Sequence, residues 1–137
     1  YTYVVSATNS AGSGASTATA PVAFDPTVAA LFTAGSKISV ASFSTGKYKL
    51  TDAMKASIGA YLTANPTLNA FVCTGYTSGK PVPAANIVTA KARATAVCAY
   101  IVTLRPTAIT LVSSKVPVVA AKSSNRKVVV SGYAPTN

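Results

Sequence analysis

Between residues 68 and 104 the chain sets an apolar run, a Gly/Pro break and a long helical stripe back to back, and few architectures accept that order. In Leu68–Thr74, Phe71 and Cys73 share one face and Ala70 and Val72 the other, the period of two expected of a strand. Gly75–Ala84 contains Gly79, Pro81 and Pro83 and reads as a loop. From Ala85 to Leu104, the positions Ala90, Ala94, Val97, Cys98, Ile101 and Leu104 fall on one helical stripe, while Lys91 and Thr95 face elsewhere. Arg105-Pro106 ends the helix, because the residue before a proline disfavours the helical conformation. The small side chains of Ala90 and Ala94 predict a close approach of this helix to a sheet.

The flanking segments supply the rest of that sheet. Lys37–Phe43 alternates Ile38, Val40 and Ser42 with Ser39, Ala41 and Phe43, and is the expected first strand. After the polar Ser44–Lys49, Thr51 is a candidate N-cap, and Asp52 sits in the first turn, where a carboxylate suits the positive end of the helix dipole. Leu50, Met54, Ile58, Tyr61 and Leu62 form the buried stripe of a first helix that stops by Asn65-Pro66. Ala108–Val112 is a third strand, Val116–Ala121 an apolar connector, Lys127–Ser131 a fourth strand and Gly132–Asn137 a tail. The order predicts an α+β fold: a two-layer sandwich with a mixed four-stranded sheet and two helices on one face. The first two strand–helix–strand units are expected to be right-handed parallel crossovers. The last strand runs antiparallel or returns through the long 113–126 loop.

Upstream of this domain (37–137), residues 1–22 read as a β-hairpin around the turn cluster Asn9–Gly14, and 23–36 as a linker with a turn at Asp25-Pro26 and a short apolar patch at Val28–Phe32. The pattern Y-x-Y-x-V-x-A-x-N-x-x-G-x-G resembles the last two strands of a fibronectin type III domain. The resemblance covers those two strands alone. An isolated hairpin is marginal in water, so it is expected to pair with the following domain, an upstream portion or a neighbouring chain. Any targeting segment is expected upstream or removed.

Twelve Lys and Arg stand against two acids, Asp25 and Asp52, with no Glu and no His. That removes most enzyme chemistries. General acid–base catalysis usually draws on His or a tuned carboxylate, and zinc and calcium sites need His, Cys or oxygen-ligand clusters. No catalytic residue, metal site or cofactor is expected. The net charge of +10 favours anionic partners, but there is no five-residue basic block and no aromatic-plus-basic platform, so nucleic acid is not expected. No run of eighteen apolar residues occurs, which predicts no transmembrane segment. Abundant Ala, Thr, Ser and Val suggest an exported bacterial protein.

Cys73 lies on the Phe71 face of its strand and Cys98 on the helix stripe, so both point into one layer. In an exported protein an even cysteine count favours a bridge, worth about 3.5 kcal/mol in the chain-entropy model. Two small buried thiols fit the same pattern.

Gly75, Tyr76 and Thr77, then Asn86 and Arg93-Ala94, match in type and spacing the ligand loop of the OmpA-like (OmpA C-terminal, MotB-like) peptidoglycan-binding family. Asn125, Arg126, Lys127 and Val128 are similar to that family's last strand entry. The resemblance spans about 37–131. It implies a βαβαββ fold and a non-catalytic module of the cell envelope, secreted or at the cell surface or cell wall. Its partner would be peptidoglycan or another anionic cell-wall polymer. Family members hold diaminopimelate between an Asp and an Arg: a carboxylate for the ammonium, a guanidinium fork for the carboxylate. Here the Asp position is Ser78, which has no charge, the glycine three residues later is Pro81, and the Leu-Ser before the Arg is Thr89-Ala90. The resemblance therefore implies a degenerate site of Thr77, Ser78, Asn86, Arg93 and Arg126. Arg93 fits two roles, a carboxylate binder or a structural donor that ties down the Gly75–Ala84 loop. The alternative function is a subunit of an extracellular surface assembly or filament that self-associates through the N-terminal hairpin.

Overall fold

The computed structural model describes residues 7–9, 12–14, 31–77, 83–115 and 123–136. The chain divides into two units, Tyr1–Phe32 and Thr33–Asn137. In the first, strands β1 (Ala7–Asn9) and β2 (Gly12–Gly14) pair antiparallel with Asn9 opposite Gly12. Gly12–Gly14 is thus strand where the sequence suggests turn. The remainder of the expected hairpin and the 23–30 part of the linker lie outside the described residues.

The second unit begins with β3 (Phe32–Val40), which starts well before the expected Lys37 and ends before Phe43. Helix α1 (Asp52–Ala64) follows from its own sequence signals. The Thr51 Oγ1 accepts from the Met54 amide at 3.3 Å, and the Met54 sulfur accepts from the Thr51 amide at 3.5 Å, so a thioether does the work of the usual acid in a reciprocal cap. Met54, Ile58, Tyr61 and Leu62 are buried, as their spacing requires. Asn65 closes the helix by donating its amide to the Leu62 carbonyl, and Pro66 blocks continuation.

Strand β4 (Ala70–Tyr76) alternates strictly, with Phe71, Cys73 and Gly75 buried. Gly75 therefore belongs to the strand and not to the loop. Helix α2 (Pro83–Leu104) buries Ala90, Arg93, Ala94, Val97, Cys98 and Ile101, whereas Leu104, expected in the stripe, is exposed past the sheet edge. An 18-residue window within Ala84–Leu104 has mean hydropathy 1.4, so by length and composition alone this helix is apolar enough to cross a membrane, a test that a helix covering a core also passes. Here it covers a sheet instead. Strands β5 (Ile109–Lys115) and β6 (Val128–Pro135) complete the layer, and the expected tail is largely strand. The Val116–Ala121 connector lies outside the described residues.

The sheet order is β3-β6-β4-β5. β4 pairs parallel with β5, the expected crossover through α2, and antiparallel with β6. The Thr33 and Thr136 hydroxyls meet at one end of β3, and Phe43 bonds Arg126 beyond the other, so β3 also runs antiparallel to β6. β6 thus inserts between β3 and β4, and since both run antiparallel to it, β3 and β4 are parallel to each other, as expected of the first crossover. The fold is α+β, with the core between the two helices and the inner sheet face: Val40, Phe43, Leu68, Phe71, Cys73, Val128 and Val130 against both helical stripes.

Close approach of α2 to β4 is enforced at one point. A Cβ added to Gly75 would lie 1.8 Å from the Ala90 carbonyl oxygen. Two strand residues further back, Cys73 and Cys98 form a disulfide with their Cα atoms 6.0 Å apart, inside the usual range. Glycine, alanine and cystine together fix α2 on β4.

Candidate functional site

The end of the sheet that carries Tyr76 gathers most of the residues that the sequence singles out. Arg93 rises from the third turn of α2 among Ala90, Ala94 and Val97 and is 1 % exposed. Its Nε donates to the Lys47 carbonyl at 2.8 Å, one terminal nitrogen to Tyr76 O at 3.0 Å and the other to Ser44 O at 3.0 Å. The guanidinium carbon stands 5.3 Å from the centroid of the Phe43 ring, within cation–π range. Arg126 grips the same loop from the β6 side, with Nε on the Phe43 carbonyl at 2.8 Å, while Phe43 N donates to Arg126 O at 3.2 Å. The loop turns through left-handed residues Ser42 (φ 72) and Gly46 (φ 66), and the two arginines hold its Phe43, Ser44 and Lys47 carbonyls, of which Ser44 O also accepts from Lys47 N at 3.0 Å.

Thr77 follows Tyr76 directly, is 3 % exposed, and its Oγ1 has no hydrogen-bond partner among the described residues. Lys127 stands over the Tyr76 ring, with Nζ 5.7 Å from the centroid, and the Tyr76 amide bonds the Lys127 carbonyl at 2.8 Å. Asn86 is half-buried in the first turn of α2. Ser78 lies outside the described residues, as does Pro81. The structure therefore brings together Thr77, Arg93 and Arg126 around one sheet end and puts Asn86 on the helix above.

Three cations meet here, and the sequence has only Asp25 and Asp52 to oppose them. Burial pulls the Arg93 pKa below the usual arginine value, and the neighbouring Arg126 charge adds to that. A guanidinium has five N–H donors. Arg93 already commits three of them to carbonyls. The site can present cationic donors to an anion.

Sequence reasoning missed a second clamp at the opposite end of the sheet. Arg105 donates to the carbonyls of Leu62 (2.9 Å), Asn65 (3.3 Å) and Leu68, and stands 5.9 Å from the Phe71 ring. It caps the last turn of α1, where a cation suits the negative end of the helix dipole. Its position just before Pro106 marked the end of α2, but nothing in the sequence tied it to α1. The 43–47 loop was likewise legible only as a polar connector, although its carbonyls are what Arg93 and Arg126 hold.

No family model matches the sequence, and no curated relative matches it. Solved structures do resemble the fold. The OmpA-like domain of FopA1 from Francisella tularensis superposes with TM-score 0.58 at 20 % identity, covering 74 % of this chain and 73 % of that one. The cell wall anchor of the T6SS from Pseudomonas aeruginosa superposes with TM-score 0.60 at 15 % identity, covering 80 % and 92 %. The peptidoglycan-associated lipoprotein from Burkholderia pseudomallei gives TM-score 0.50 at 24 % identity, covering 69 % and 88 %. At such identities the likeness speaks to architecture, and the chain carries the OmpA-like fold.

Proposed function

We propose that this protein is a non-catalytic cell-envelope module that attaches weakly to the bacterial cell wall, and that its ligand site has been turned towards holding its own loop. Two of the solved structures it resembles are named for the cell wall or peptidoglycan, which supports a wall partner. The observation that carries the second half is Arg93: three of its donors are on the carbonyls of Ser44, Lys47 and Tyr76, and it is buried. Two N–H groups remain, on a side chain only 1 % exposed, so little of the fork faces a ligand carboxylate. The uncharged Ser78 leaves the ammonium end of diaminopimelate without a counter-charge. Support or weak attachment follows from that pairing of a half-occupied cation with an absent anion.

Co-sedimentation with purified diaminopimelate-type peptidoglycan tests the reading. The wild-type chain is expected to pellet weakly, and Ser78→Asp to raise the bound fraction about tenfold, the gain of one charge-assisted pair. Unchanged sedimentation of Ser78→Asp removes the wall-binding half and leaves a scaffold. Tight wild-type binding that Ser78→Asp does not improve removes the degenerate-site half.

A further inference from the structure

A groove that Thr77, Arg93 and Arg126 do not line runs along the outer face of α2. Two hollows of 660 and 510 Å³ share Tyr48, Ala96 and Ala99 as lining residues, so they are lobes of one trough. It extends from Val88 to Thr103, roughly 22 Å at the helical rise of 1.5 Å per residue. Its floor is the methyl groups of Ala92, Ala96 and Ala99. Tyr48 is 58 % exposed and Val88 68 % exposed, large apolar side chains left uncovered along the trough. Its charged residues are all lysines: Lys47, Lys49, Lys55 and Lys91. Lys55 Nζ sits 6.0 Å from the Tyr100 ring centroid.

The chemistry of this lining selects its occupant. The Thr95 and Thr103 hydroxyls donate to the carbonyls of Lys91 (2.9 Å) and Ala99 (3.1 Å) on their own helix. The floor is therefore methyl-lined and the protons of its two threonine hydroxyls are already engaged. A sugar chain or a strand of bases laid on it would leave polar groups unpaired, whereas an apolar peptide face would not. The lysine rim demands carboxylates. A second copy of this chain cannot supply them, since its acids are Asp25 and Asp52 alone against twelve cations. We propose that the trough docks an acidic amphipathic segment of a different protein, its apolar side on the alanine floor between Tyr48 and Tyr100 and its carboxylates on the four lysines, the helix-in-groove mode. This site stands whether or not the wall-binding reading does.

The probe is a fluorescein-labelled amphipathic peptide of about 15 residues, the length that matches the trough, with Leu on one face and Glu on the other. Fluorescence anisotropy with the full chain is expected to show it binding at least about tenfold tighter than a scrambled peptide of the same composition. Tyr48→Ala and Ala99→Gln, both at exposed positions and checked for folding by urea titration, are each expected to weaken it about tenfold. Lys49→Glu/Lys55→Glu/Lys91→Glu is expected to weaken it further and flatten its salt dependence. Equal binding of the scrambled peptide overturns the proposal, as does indifference to Tyr48→Ala and Ala99→Gln. Stronger binding of polygalacturonate or of an oligothymidylate strand in the same trough also overturns it, in favour of an acidic polysaccharide or single-stranded nucleic acid.

Discussion

Replacing Arg93 separates a guanidinium that builds the fold from one held ready for a ligand. Each hydrogen bond from a charged donor to a carbonyl contributes about 1.5–3 kcal/mol, so three represent a gross contribution of about 4.5–9 kcal/mol. Against this stands the cost of desolvating the cation, several kcal/mol, which the folded state carries now and which Arg93→Ala removes. The variant also leaves a void beside Phe43 and removes one donor from each of the Ser44, Lys47 and Tyr76 carbonyls, of which Ser44 O keeps the Lys47 amide. The balance predicts a loss of about 3–5 kcal/mol, a fall in Tm of roughly 15–30 °C for a domain of this size. Urea titration with the disulfide intact measures it without any ligand. Arg93→Lys supplies a point charge that reaches one carbonyl in place of three and is expected to recover less than half of the loss. Arg126→Ala, which removes one side-chain bond to Phe43 O, is expected to cost about 1–2 kcal/mol. A solvent-facing ligand fork would behave differently, because surface substitutions away from such networks stay within about 0.5 kcal/mol. An Arg93→Ala protein that matches the wild-type urea midpoint refutes the clamp.

Three other expectations rest on separate observations. Gly75→Ala places a Cβ 1.8 Å from the Ala90 carbonyl oxygen, so α2 must move, and a loss of about 3 kcal/mol is expected; Gly59→Ala, with nothing within 4 Å and a helical position in α1, is expected to stabilise by about 0.5–1 kcal/mol, and reversed signs in parallel melts would discredit both. Reduction of Cys73–Cys98, or replacement of both by Ala, is expected to lower stability by about 3.5 kcal/mol in the chain-entropy model, read from urea midpoints with and without reductant; equal midpoints contradict it. Burial raises the Tyr61 pKa above 10.0 while its hydroxyl donates to Ser36 O at 2.6 Å. The folded state therefore holds this proton more tightly than the unfolded chain, so the stability it confers is complete below pH 10 and is lost as pH rises through the folded value. The wild-type minus Tyr61→Phe difference in unfolding free energy is expected to shrink between pH 9 and pH 11, and a constant difference counts against the assignment.

The legible parts of this chain are those where one local signal has one physical meaning. Thr51 with the 54, 58, 61, 62 spacing can only begin and bury a helix, and Asn65-Pro66 can only stop it; α1 obeys all of these. The 71, 73 alternation and the 90, 94, 97, 98, 101 stripe likewise gave β4 and α2 their inner faces, and the two cysteines met because both lie on those faces. Strand ends were less legible. β3 reaches back to Phe32 through residues whose exposure hides any alternation, and β6 runs out to Pro135 through Gly132, Ala134 and Pro135, which give no strand signal of their own; pairing is decided by a partner distant in sequence. The insertion of β6 between β3 and β4 has the same cause.

The candidate site fails differently, since the residues were identified and their partners were not. A guanidinium suits a ligand carboxylate and a cluster of backbone carbonyls equally well, because both offer oxygen lone pairs to one planar fork. Spacing places Arg93 at the end of β4 in either case. What decides between them is the path of residues 43–47, a loop whose left-handed turns at Ser42 and Gly46 bring the Ser44 and Lys47 carbonyls to one side chain, beside the Tyr76 carbonyl at the end of β4. Among the described residues no carboxylate pairs with that arginine, and carbonyl dipoles and the Phe43 ring are what hold it. In the proposed function, the uncharged residue at position 78 and the hold of the loop on Arg93 are two sides of one arrangement. Restoring the acid therefore tests whether the loop gives the arginine back, and a Ser78→Asp chain that binds diaminopimelate-type wall while losing stability at 43–47 would be the direct sign of that exchange.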